Sequence, residues 1–166
     1  MERLARIKYL LGWALLALIA GTVVFIFVNS ALPPEVSAEQ SGTVGGIIAE
    51  IIPPDTDLGS FIQEYLRKIA HFTEYGMLGI EISLLVFFYF KRRVLFGCSA
   101  AAVPFFVGFI DESIQILSDR GPSISDVWID IGGFITFSLL SYAVLALGDI
   151  TLKMIKKKRA GAVQSE

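Results

Sequence analysis

Cysteine and histidine are nearly absent from this chain of 166 residues, where Cys98 and His71 each stand alone. A lone cysteine forms no intramolecular disulfide and builds no cysteine-based zinc site. Charge is scarce as well, at 18% of residues with a net value of -2, and there is no basic face of the kind that binds nucleic acid. Nucleic acid is thereby excluded as a partner. Proline occupies six positions, four of them the pairs Pro33-Pro34 and Pro53-Pro54. What fills the remaining space is apolar: 54% hydrophobic residues and a mean hydropathy of +0.66. That composition excludes a large water-soluble catalytic domain and makes the bilayer the expected solvent.

A hydrocarbon core about 30 Å thick takes roughly 20 apolar residues per helical crossing. The run 9–28 is uncharged and of that length, longer than the apolar core of a cleaved signal peptide, although Asn29-Ser30-Ala31 would suit a cleavage site. Further runs predict an all-α polytopic membrane protein with four crossings, at about 9–29, 67–90, 94–117 and 126–148. The membrane domain is then 9–149, preceded by a short N-terminus at 1–8 and followed by a basic tail at 150–166, amphipathic or disordered. Of the 14 basic residues, 11 cluster before the first crossing, at Lys91-Arg92-Arg93 and in the tail. By the positive-inside rule both termini are expected to be cytoplasmic, with a bacterial inner-membrane location.

The outer connection, 30–66, carries the two proline pairs and Gly42, Gly45 and Gly46, so most of it is expected to be loop. Within it Val44, Ile47, Ile48, Ile51 and Ile52 mark an apolar helical stripe, interfacial or re-entrant. Gly97, Ala101 and Gly108 are expected to let a neighbouring helix approach the third crossing.

The second crossing carries Arg67, His71, Glu74, Leu78 and Glu81 on one helical face. An ionised group at the bilayer centre costs about 2.5–3.5 kcal/mol on insertion scales, so this face is expected to meet protein or water. The third crossing ends in Asp111, Glu112 and Gln115, and the fourth begins with Ser125, Asp126 and Asp130. All three helix ends lie on the outer side, so these groups are expected to converge, with His71 and Glu74 facing Glu112 and Asp126. Glu81, ten residues beyond His71 and about 15 Å deeper, is expected to be protonated or hydrogen-bonded.

The segment Arg67-Lys68-Ile69-Ala70-His71-Phe72-Thr73-Glu74-Tyr75 with Leu78-Gly79, then 111–115, Arg120, Ser125-Asp126 and Gly133, resembles the VanZ-like family. The resemblance implies a small multi-helix bacterial membrane protein of the cell envelope, from a family named after a member linked to resistance to the glycopeptide teicoplanin. It places Lys68, His71, Glu74, Tyr75, Glu112, Gln115, Arg120, Asp126 and Gly133 on recurring positions, and Asp130 where the family often carries asparagine.

Three functional classes remain open from the residues. In an enzyme, His71 would be the acid or base, oriented by Glu74 or Glu112, with Asp126 also catalytic. Arg67, Lys68, Tyr75, Asp111, Gln115, Arg120 and Asp130 would bind the ligand, Lys68 and Arg120 taking an anionic headgroup or phosphate. In a binding or partner-organising protein the same groups would hold a lipid, a lipid-linked cell-wall intermediate or a glycopeptide, or would simply brace the helices. In a proton-coupled carrier Glu81 would extend the path inward, although no repeat is visible and an oligomer would be needed. Zinc would call on His71, Glu74 and either Glu112 or Asp126, but one histidine makes a poor set, so no metal and no cofactor is expected. Membrane lipids are the expected neighbours.

Overall fold

A computed structural model describes residues 2–90, 93–118 and 124–163. Helices α1 (Glu2–Ala31), α2 (Pro34–Ile51), α3 (Asp57–Leu85), α4 (Arg93–Leu117) and α5 (Ile124–Val163) follow one another, and α3 runs on into a π-helical turn, Val86–Phe90. There is no strand among the described residues. The segments Ala5–Ala31, Asp57–Phe90, Gly97–Leu117 and Ile124–Lys158 are long and apolar enough to cross a membrane, so the chain is an all-α polytopic membrane protein.

Between the first two crossings the expected amphipathic helix is present but longer than its apolar stripe, since α2 has 18 residues and leaves little of the expected loop. The prolines sit where a helix tolerates them. Pro34 opens α2, where a missing N–H would have had no partner, and Pro53-Pro54 follows the C-cap residue Ile52. Gly45 is buried against α3, its carbonyl accepting a hydrogen bond from Gln63 Nε2 at 2.8 Å, so tertiary packing offsets the helical cost of the glycines. Val44, Ile47 and Ile51 of the apolar stripe remain exposed, as expected for a face turned to lipid.

Helix α3 starts earlier than its apolar run because Thr56 caps it, accepting from the Gly59 amide at 3.0 Å, with Asp57 at the positive end of the helix dipole. Helix α5 is 40 residues long and stays helical through the basic segment expected as a tail, where Lys153 and Asp149 pair at 2.6 Å. Pro104 is fully buried inside α4.

Helix α3 is central and packs most extensively on α5. Backbones nearly touch at two glycines: a Cβ on Gly133 would lie 2.2 Å from the Phe72 carbonyl oxygen, and one on Gly79 would lie 2.5 Å from that of Phe134. The close crossing is therefore made by small residues, as in other membrane bundles. Gly97 and Ala101 do not serve this purpose, because both are exposed and a Cβ on Gly97 meets nothing within 4 Å. Helix α1 lies against α3 and α4, and the shared core contains Ile26, Tyr75, Leu78 and Phe134.

Gly133→Ala should lower the detergent melting temperature, by an overpacking cost of about 1–3 kcal/mol, because two backbones must separate. Gly21→Ala, with nothing within 4 Å, should leave melting unchanged or raise it slightly. Equal melting of the two variants would contradict the close crossing.

Candidate functional site

The polar face of α3 becomes progressively more buried along its length, from exposed Arg67 through half-buried His71 and Glu74 to buried Glu81. Each group meets a partner from a different helix. His71 Nδ1 stands 3.3 Å from Asp130 Oδ1 of α5 and 4.0 Å from Asp111 Oδ2 of α4. Both aspartates are fully buried. Asp111 accepts a hydrogen bond from Ser30 Oγ of α1 and a second, at 3.1 Å, from Gln115 Nε2. Gln115 in turn accepts from Arg67 Nη2 at 3.0 Å. A continuous relay, Ser30–Asp111–Gln115–Arg67, therefore ties α1, α4 and α3 together, with His71 and Asp130 beside it.

Convergence of the three helix ends thus occurs, but with different acids from those expected opposite His71. On α4 the inward face carries Asp111 and Gln115, four residues apart, while Glu112 is buried about 100° round the helix. On α5 the partner is Asp130 rather than Asp126, which is half-buried and accepts from Ser125 Oγ at 3.5 Å. The register follows from the glycine crossing. Gly133 sits on Phe72, so Asp130, three residues earlier in α5, comes level with His71.

Glu74 turns to α1, where Asn29 Nδ2 donates to its Oε1 at 3.0 Å. Lys68 is exposed, with Nζ 5.4 Å from the centre of the Tyr65 ring. Tyr75 is fully buried, its hydroxyl without a hydrogen-bond partner among the described residues. Arg120 lies outside the described residues. Glu81 is buried near the middle of α3 and accepts from Thr22 Oγ1 at 2.8 Å, in keeping with the hydrogen bond expected for it.

Sequence reasoning missed the contribution of α1. Thr22, Ile26 and Ser30 follow at four-residue intervals and form its buried face, with Asn29 beside them. That spacing of hydroxyl residues in an apolar run was the available signal.

Two spaces adjoin the network. A small cavity of about 80 Å³ is walled by Asn29 of α1, by Ser37, Gln40 and Ser41 of α2, and by Arg67, His71 and Glu74 of α3. An apolar groove of about 410 Å³ runs along α1 and α3, lined by Leu18, Thr22, Phe25 and Met77 among others. Glu74 borders both. Helix α2 roofs the polar cavity with its serines and carries its exposed apolar stripe alongside.

A family model described as VanZ/LLP1 matches residues 13–146, which takes in the second and third crossings, most of the first and fourth, and every residue of the network. No curated protein and no solved structure matches the chain.

Proposed function

The chain belongs to the VanZ/LLP1 family, and from that membership together with its paired cavities we propose that it is a cell-envelope protein binding a lipid-linked or phosphate-bearing ligand. The observation that carries this reading is the junction at Glu74 of a polar cavity with an apolar groove. A ligand lying across that junction is amphiphilic: its chain occupies the groove and its polar group the cavity. The polar group is small, because about 80 Å³ is far below the roughly 300–1,000 Å³ of an ordinary small-molecule site. Arg67 supplies the positive charge, and Asn29, Ser37, Gln40 and Ser41 supply neutral donors. The family's general association with antibiotic resistance extends the proposal to teicoplanin tolerance, through a lipid-linked cell-wall intermediate of which only the phosphate enters the cavity. With the basic clusters cytoplasmic, the cavity opens at the outer face of the bacterial inner membrane.

Expression in a teicoplanin-susceptible bacterium tests the reading. Wild type should raise tolerance, and Arg67→Ala should abolish the gain while membrane level and detergent melting stay near wild type, since Arg67 is exposed. No gain from wild type would remove the tolerance proposal. A parallel fall in level and melting would favour a second reading, in which the relay from Ser30 to Arg67 only braces the bundle. Topology is tested separately, by labelling cysteines placed at Asp57 and Lys157; modification of both from one side would refute the orientation.

A further inference from the structure

We infer that His71, Asp111 and Asp130 form a buried binding site for one divalent transition-metal cation. The inference is independent of the lipid ligand proposed above. One ligand atom from each residue lies within 4.8 Å of those of the other two, and all three side chains converge from separate helices. A tetrahedral zinc ion with bonds of about 2.0–2.2 Å spaces its ligand atoms roughly 3.4 Å apart. The 3.3 Å from His71 Nδ1 to Asp130 already matches that spacing, and only the 4.0 Å to Asp111 must contract.

The second observation is buried polar capacity left over around the His71–Asp130 pair. Asp130 is fully buried and its Oδ1 meets only His71 Nδ1, at 3.3 Å, while its Oδ2 and the buried Tyr75 hydroxyl have no hydrogen-bond partner among the described residues. A buried carboxylate oxygen left without a partner is costly, and one cation among the three residues satisfies two carboxylates and an imidazole nitrogen together. Asp111 has the surroundings of a ligand held in place, since Ser30 and Gln115 both donate to it. Gly108 keeps space beside the cluster: a Cβ there would stand 3.8 Å from the Tyr75 hydroxyl and 4.0 Å from Asp130 Oδ2.

The donor set selects the metal. An imidazole nitrogen suits zinc and its transition-series neighbours, whereas magnesium and calcium favour oxygen alone. Three protein ligands leave a further position for water or a phosphate oxygen, as in zinc sites that are not purely structural. The expectation that one histidine is too few is answered by the two aspartates, neither of which belonged to the zinc set considered from sequence.

The full-length chain, purified in detergent, stripped with chelator and dialysed against Zn²⁺ or Mn²⁺ alone, should retain about one ion per chain of at least one of them. Asp130→Asn, which preserves shape, and His71→Ala should lose that ion, while Asp149→Asn at the surface should retain it. Gln115→Ala, acting through Asp111, should weaken affinity about 10–100-fold. Co²⁺ added to the stripped wild type should give visible ligand-field absorption that Asp130→Asn lacks. Retention of neither Zn²⁺ nor Mn²⁺ by wild type, or equal retention by folded Asp130→Asn, overturns the site.

Discussion

Replacement of Asp111 by alanine should cost the bundle about 2–5 kcal/mol and remove most of the protein from the membrane fraction. The side chain is fully buried and accepts from both Ser30 and Gln115. Without it two donors are stranded, each at about 1–3 kcal/mol. Interhelical hydrogen bonds in bilayers average nearer 0.6 kcal/mol, so the loss is expected at or below the bottom of the overall range in lipid and within it in detergent. Asp111→Asn keeps one acceptor oxygen and should recover part of the loss. The decisive measurement is a double-mutant cycle with Ser30→Ala. The two alanine substitutions should together cost less than the sum of the singles, because each strands the other's partner. Additive melting shifts would mean that Ser30 and Asp111 do not interact.

Tyr75 should separate packing from chemistry. Tyr75→Ala empties the centre of a core that also holds Ile26, Leu78 and Phe134, and should lower stability by about 3–5 kcal/mol, as aromatic-to-alanine changes do in packed interiors. Tyr75→Phe removes only a hydroxyl that has no hydrogen-bond partner among the described residues. It should leave melting unchanged or slightly higher, since a buried polar atom without a partner is a cost. A drop in melting on Tyr75→Phe, measured on chelator-stripped protein, would show that the hydroxyl is bonded within the folded chain. Wild-type melting combined with lost teicoplanin tolerance would place it in ligand handling instead.

How far the sequence reached is best seen residue by residue. The four crossings followed from hydrophobic length, and the polar face of α3 from its spacing; neither depends on long-range packing. Asp111 and Glu112 are adjacent, and only the rotation of α4 against its neighbours decides which faces His71. Asp126 and Asp130 share a helical face, so the choice between them is one of depth, and depth is set where Gly133 meets Phe72. A backbone contact of that kind leaves no periodicity to read. Asn29 and Ser30 were hidden for a different reason: polar residues at the end of an apolar run look like an exit from the membrane, whereas here they turn inward to Glu74 and Asp111. The helix of the outer connection was legible from its apolar stripe, but its full length was not, because the first proline pair opens it rather than interrupting it.

The length of α5 has a practical consequence. At 40 residues it extends about 60 Å, twice the hydrocarbon thickness, as one uninterrupted rod. The same helix carries Asp130 at one end and projects its lysines well past the apolar core at the other. A helical protein spliced in phase onto the projecting turns would inherit the orientation of the bundle with no hinge between them. For a chain this small, that makes α5 the natural handle for an imaging fiducial, with the network around His71 held in fixed register to the added mass.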